Sequence, residues 1–150
     1  MLEVRKAGRK DVAPIVQLLA DDVLGQGREH PGEPLPSHYA AAFERIEGDP
    51  NQFLAVMVDG ETVVGTLQLS FIPGLSRQGA VRGQIEAVRI AADRRSEGLG
   101  EQLIEWAISQ CRERGCALVQ LTTDRRRVDA HRFYERLGFE ATHVGYKLEF

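Results

Sequence analysis

Apolar residues recur along this chain with two periods, and the switches between them outline its elements. Leu2 to Lys6 alternates as a short opening strand. From Asp11 to Leu24 the period lengthens, placing Val12, Ile15, Val16, Leu19 and Val23 on one helical face with Asp11 at the N-cap. Gly25 to Ser37 gathers glycine and proline, which interrupt regular structure, and predicts a loop. Tyr39, Phe43 and Ile46 restore helical spacing until Gly48-Asp49-Pro50 stops it. Two strand-like runs follow, Asn51 to Val58 and Glu61 to Ser70, parted by Asp59-Gly60, a dipeptide suited to the positive φ angles of a tight hairpin.

A loop from Pro73 to Arg82 leads to a strand at Gly83 to Ile90, in which the carboxylate of Glu86 stands among apolar residues. Ser96 to Arg114 predicts a long amphipathic helix, with Leu99, Leu103, Trp106 and Ala107 on one side and Gly115 just past its end. Cys116 to Leu121 reads as a short buried strand and Val128 to Leu137 as a last helix closed by Gly138. Phe139 to Ala141 and Val144 to Phe150 read as two closing strands. This order predicts a mixed α/β (α+β) fold, with helices on both faces of a central sheet.

Composition narrows the class. With 150 residues, 43% of them hydrophobic, the expectation is one globular domain over residues 1–150 with a core of its own. Two cysteines make no disulfide framework, and the first residues lack an apolar signal segment, so a cytoplasmic location is expected. The longest apolar run, Phe53 to Val58, falls far short of the roughly 18 residues of a membrane helix, so no membrane association is predicted. A net charge of −3 argues against a nucleic-acid partner. His30, His38, His131 and His143 show no metal-ligand spacing, and Cys111 and Cys116 read as small buried apolar groups rather than nucleophiles.

The chemistry concentrates where the Gly83–Ile90 strand turns through Arg95-Ser96-Glu97-Gly98-Leu99-Gly100 into the long helix. Such a turn offers unpaired backbone N–H groups and the positive end of a helix dipole to an anion, a phosphate or pyrophosphate. A phosphate loop ending in Gly-Lys-Ser/Thr is excluded, because Gly100 is followed by Glu101-Gln102. A dinucleotide fingerprint lacks its third glycine, since Leu103 stands there. The remaining pattern, Arg-x-x-Gly-x-Gly, resembles the GCN5-related N-acetyltransferase (GNAT) superfamily. Ala130-His131-Arg132-Phe133-Tyr134-Glu135-Arg136-Leu137-Gly138-Phe139 is similar to a second signature of that family.

The resemblance implies a mostly antiparallel, twisted sheet with a splayed parallel strand pair, and acetyl-CoA as co-substrate with no metal. It implies that Arg95, Ser96, Glu97, Gly98, Leu99 and Gly100 hold the pyrophosphate. Val88 and Ile90 would offer backbone groups to the pantetheine arm, and an N–H near Val88 would face the thioester carbonyl. Tyr134 would stand beside the sulfur as general acid. Glu86 would bind or deprotonate the acceptor, as a carboxylate tuned by burial or acting through water. Arg127 stands where many relatives carry an Asn that touches CoA, and Arg125 and Arg126 extend a run that could reach a CoA phosphate. Glu97 puts a negative side chain into the phosphate turn unless it points outward.

The implied reaction is acetyl transfer to a primary amine of a small molecule or peptide, by direct attack in a ternary complex. An aliphatic amine, with a reference pKa near 10.4, must first lose a proton to gain its lone pair. The alternative is a non-catalytic acyl-CoA-binding regulatory module. Gly25 to Ser37 and Pro73 to Arg82 would shape the acceptor pocket. A homodimer is compatible with the sequence, with no surface patch to assign to it.

Overall fold

Alternate residues of the hairpin strands point to opposite sides of one sheet, and each set meets its own layer of helices. In a computed structural model of the chain, which describes residues 1–22 and 24–150, the strands are β1 (Leu2–Lys6), β2 (Gln52–Asp59), β3 (Thr62–Pro73), β4 (Val81–Ile90) and β5 (Leu118–Leu121). The helices are α1 (Val12–Ala20), α2 (Ser37–Glu47), α3 (Leu99–Glu113) and α4 (Val128–Arg136). The sheet order is β1-β2-β3-β4-β5, antiparallel from β1 to β4 and parallel between β4 and β5. Ala55 and Met57 of β2 join Leu67, Leu69, Phe71 and Ile85 under Leu99, Leu103, Ile104 and Ala107 of α3. Val56 and Val58, one residue out of phase, face the other way against Ala7 and Ile15. The mixed fold with helices on both faces is the one the sequence predicts.

Gly83 sets how closely α3 approaches the sheet, because a Cβ there would collide with Cys111 Sγ. Burial pushes the Cys111 thiol up to about 11, which suits a packing role and not a nucleophile. At the other face, the β1–α1 junction is closed by Asp11, whose carboxylate takes bonds from Arg5 (2.7 and 3.0 Å) and from the Gly8 amide (2.7 Å). Asp11 therefore sits at the predicted N-cap of α1 but ties the helix to β1 instead of capping its first turn.

Three expectations need correction. The first helix stops at Ala20 rather than Leu24, because the Asp22 carboxylate accepts its own Leu24 amide (2.8 Å) and draws the backbone into a turn. Gly25 then lies so close to the Leu19 carbonyl that no Cβ could fit. Val23 falls outside the described residues. The Pro73–Arg82 segment is not all loop: β3 runs to Pro73, β4 starts at Val81, and Arg77 and Gln78 turn between them at left-handed φ of 55° and 62°. The closing strands at Phe139–Ala141 and Val144–Phe150 do not form. Phe139 packs on the core, but residues 140–150 carry neither helix nor strand and are exposed, because a strand needs an edge to pair with and this tail meets none.

Asp11→Asn is expected to lower stability by about 1–3 kcal/mol in urea unfolding, since it leaves Arg5 and the Gly8 amide short of a charged acceptor. The hydrogen bond from Arg5 holds the Asp11 carboxyl below its ordinary value against the opposing effect of burial. The contribution is thus full above the unfolded carboxylate pKa of about 3.9 and is lost as pH falls through the lower folded value. The variant's unfolding midpoint should accordingly fall less than the wild type's between neutral and acidic pH.

Candidate active site

The site begins with a mismatch in the sheet. Thr66 pairs with Arg89 and Gln68 with Glu86, so the single residue Leu67 faces two, Ala87 and Val88. This β-bulge holds Ala87 at φ 54°, a left-handed angle that costs a non-glycine residue roughly 1–2 kcal/mol. On the opposite edge, β5 pairs with β4 only from Arg82 to Ile85. From Glu86 to Ile90 that edge of β4 has no strand partner among the described residues. The two strands have parted, as expected for a splayed pair.

β4 then runs through the short turn Ala92–Arg94 into the glycine segment. Ser96 (φ 69°) and Gly98 (φ 78°) take left-handed angles, and Gly98 caps α3 with open space around its α-carbon. Its glycine is required by the turn and not by packing. Leu99 anchors the turn in the core, while Arg95, Ser96, Glu97 and Gly98 are exposed. The first amides of the 15-residue α3 have no partner within the helix. Gly100 lies against Ile90 and Phe133, so α4 crosses the first turn of α3. Glu97 does not oppose an anion here, because Arg94 binds it (2.8 Å) and also reaches Asp59 (3.1 Å).

Glu86 and Tyr134 sit in different surroundings. Glu86 is exposed and receives a hydrogen bond from Gln84 Nε2. It forms no ion pair with Arg82 or Arg89, and it is not buried as a carboxylate in a closed pocket would be. Tyr134 is half-buried on α4, edge-on to Phe133 (5.2 Å) and Phe139 (5.9 Å). Burial raises its phenol above the ordinary value, against the smaller opposing effect of the positive charges of Arg89 and Arg127. It therefore keeps its proton at neutral pH. His131 makes a 3.2 Å contact with the Asp124 carbonyl.

An ion cluster that no sequence motif singles out lies beside Tyr134. Asp22 Oδ2 accepts a hydrogen bond from Arg127 (2.7 Å) and forms an ion pair with Arg89 (2.9 Å), with the Asp22 side chain only 8% exposed. Burial works to raise the Asp22 carboxyl, but the Arg127 and Leu24 bonds and the two positive charges hold it below the ordinary range. One carboxylate thus balances two guanidinium groups. Arg89 Nη1 also caps the Val88 carbonyl (2.9 Å), and its buried Nε has no hydrogen-bond partner. Two expectations change: Arg127 is tied to Asp22, and the Val88 carbonyl is already taken. Arg126 is likewise tied to Asp124 (2.8 Å), leaving Arg125 exposed. The signal available in sequence was Arg89 itself, a cation between the apolar residues Val88 and Ile90.

An open β4 edge thus runs into a glycine turn at the head of a helix that carries Gly100 against Phe133, the neighbour of the half-buried Tyr134. The profile described as "Acetyltransferase (GNAT) family" matches residues 17–139. The chain belongs to that family. It is 33% identical over 95 residues to the aminoalkylphosphonate N-acetyltransferase of Salmonella typhimurium, an alignment covering 63% of this chain and 61% of that protein. Less than two thirds of that relative's length is therefore matched. Among solved structures, a transcriptional regulator from Bacillus halodurans C-125 is 49% identical, with all of both chains covered and a TM-score of 0.98. An acetyltransferase from Trypanosoma brucei is 26% identical, with full coverage of both chains and a TM-score of 0.82.

Asp22→Asn is expected to cost about 3–5 kcal/mol, because it strands two guanidinium groups around a neutral amide. Asp124→Asn, at a more exposed pair, should cost far less. Chemical denaturation of the two variants side by side measures the difference. Gly98→Ala should lose about 1–2 kcal/mol through its left-handed φ.

Proposed function

We propose that this chain transfers the acetyl group of acetyl-CoA to a primary amine by direct attack. The observation that carries the reading is the unpaired edge of β4 from Glu86 to Ile90, continuous with the amides at the head of α3. Acetyl-CoA bound there supplies an activated acetyl group as its thioester. The backbone of Val88 and Ile90 pairs with the amide-bearing arm as an added strand would, the Val88 amide facing the thioester carbonyl. Arg95, Ser96, Glu97, Gly98, Leu99 and Gly100 receive the pyrophosphate through backbone N–H groups and the helix dipole. Tyr134, held protonated by burial, donates to the leaving thiolate. Glu86 accepts a proton from the ammonium form of the acceptor through water, since its carboxylate faces solvent.

The acceptor we infer is a small amine that also carries an acidic group. Arg89 and Arg127 share one carboxylate, so their cluster holds an uncompensated positive charge next to Tyr134. A phosphonate or carboxylate is what such a cluster selects. The name of the Salmonella relative points the same way.

Tyr134→Phe is expected to lower kcat by about 100-fold or more with acetyl-CoA affinity little changed, read by thiol release and calorimetry. A larger loss of affinity than of kcat would return Tyr134 to packing. Aminoalkylphosphonates and amino carboxylates should be better acceptors than alkylamines of equal length. Arg89→Met should raise KM for the acidic acceptors about 10-fold or more and leave the alkylamines unchanged. Because the Bacillus relative is called a transcriptional regulator, the same experiments also address a regulatory role. A non-catalytic CoA-binding module would bind CoA equally in wild type and Tyr134→Phe and release no thiol with any acceptor.

A further inference from the structure

The face of the sheet turned away from α3 carries a group of polar side chains around Glu86. Gln52, Gln68, Ser70, Gln84 and Gln120 share that face with it, each one residue out of phase with the core residues Phe53, Leu69, Ile85 and Leu121. Ser70 stands opposite Gln52 and Gln84, Gln84 opposite Gln120, and Gln68 opposite Glu86. Their hydrogen bonds nevertheless divide into two sets. Gln68 Nε2 (2.8 Å) and Ser70 Oγ (3.0 Å) both donate to Gln52 Oε1 on β2. Gln120 Nε2 donates to Gln84 Oε1 (2.8 Å), and Gln84 Nε2 donates to Glu86 Oε1.

Chemistry imposes a direction on the second set. An ionised carboxylate only accepts, so Gln84 must turn its NH2 group toward Glu86. Its carbonyl oxygen then faces β5, where only a donor can meet it, and Gln120 Nε2 is that donor. Gln84 is thus oriented from both ends. A flip of its amide would break both bonds at once.

The chain of bonds also spans the fork between the parted strands. Gln84 and Gln120 pair one position before the end of the β4–β5 ladder, which stops at Ile85 and Leu121, and Glu86 is the first β4 residue beyond it. The left-handed Ala87 of the bulge follows immediately. A carboxylate on the free edge of β4 is therefore anchored to the part of the sheet that is still paired. Its Oε1 is taken by Gln84, while Oε2 receives no bond from the protein among the described residues.

We propose that Gln84, itself oriented by Gln120, is a positioning residue for proton removal: it pins Oε1 of Glu86 so that Oε2 is the oxygen that takes the proton. This rests on the role of Glu86 as proton acceptor given above. The ammonium of the acceptor passes a proton to a bridging water, and that water passes one of its own to Oε2. The lone pair stays on the nitrogen for attack on the thioester carbonyl. Oε1 keeps its bond to Gln84 throughout, so the carboxyl group needs no rotation before the transfer. Gln84 acts through Glu86 and not on the amine itself.

Side-chain amide NMR signals of the full chain test the bonds without any acceptor. Glu86→Gln should move the NH2 signals of Gln84, and Gln84→Met should return those of Gln120 to the position of a free amide. A Gln120 amide that is already free in the wild type, or unmoved by Gln84→Met, overturns the proposal. Thiol release from acetyl-CoA, with the best acceptor among aminoalkylphosphonates and amino carboxylates, tests the role. Gln84→Met keeps the bulk and removes the bonds, and should lower kcat about 10-fold or more with KM for acetyl-CoA unchanged. In a Glu86→Gln background it should cost nothing further. Gln52→Met, which breaks the neighbouring set instead, should keep the wild-type kcat. An equal loss from Gln52→Met, or a Gln84→Met loss that persists in full without the Glu86 carboxylate, marks a structural effect and overturns the proposal. Full turnover in Gln84→Met beside a loss in Glu86→Gln overturns it and leaves Glu86 as the proton acceptor. Full turnover in Glu86→Gln removes that role and this inference together, as does a wild type that releases no thiol with any of these acceptors.

Discussion

The site depends on a defect in hydrogen bonding that the fold maintains at β4. Two residues, Ala87 and Val88, stand opposite one on β3, and the parallel partner β5 leaves the strand after Ile85. Backbone groups that a regular sheet would consume are thereby left without a strand partner over Glu86–Ile90, the Val88 carbonyl being taken instead by Arg89. The strain of a left-handed Ala87 is sustained by the packing on either side, where Ile85 is buried and Ile90 lies against Gly65 and Gly100. Everything functional is placed relative to this break. The glycine turn continues from it, Arg89 projects from it, and α4 brings Tyr134 across the head of α3 beside it.

Charge in this protein is arranged locally, and the net value of −3 conceals the arrangement. The arginines that a linear reading groups as an anion-binding cluster are mostly committed to carboxylates. Arg94 is held by Asp59 and Glu97, Arg126 by Asp124, and Arg127 by Asp22. What remains for a phosphate is chiefly backbone, the amides at the head of α3. The imbalance that survives is at Asp22, where a single buried carboxylate serves two guanidinium groups. That imbalance lies near Tyr134, so in the proposed reaction it bears on the acceptor more than on the pyrophosphate.

Much of this was legible in the chain because the determinants are local. The Asp59-Gly60 turn fixes the β2–β3 hairpin and the apolar face of Leu99, Leu103 and Ala107 fixes α3, although the helix starts at Leu99 and not at the expected Ser96, because Ser96 and Gly98 take left-handed angles. As candidates, Tyr134 is named from its place in a motif and Glu86 from its place on the strand that enters the glycine turn. What could not be read depends on partners distant in sequence. Asp22 and Arg127 are 105 residues apart, and no local pattern announces that they meet. The left-handed Ala87 follows from the bulge, which shows in the register with β3 and not in the strand itself. The closing strands failed for the same reason: alternation from Val144 to Phe150 specifies a strand, but not the edge it pairs with.

The central claim is that the open β4 edge and the head of α3 form one continuous backbone cradle for acetyl-CoA. Amide chemical shifts of the wild-type protein, followed by NMR as CoA and acetyl-CoA are added, address it residue by residue. A continuous cradle requires the amides of Val88 and Ile90 and those of Gly98, Leu99, Gly100 and Glu101 to move together with one dissociation constant. Saturable binding that shifts other amides while leaving these two groups unmoved would contradict it.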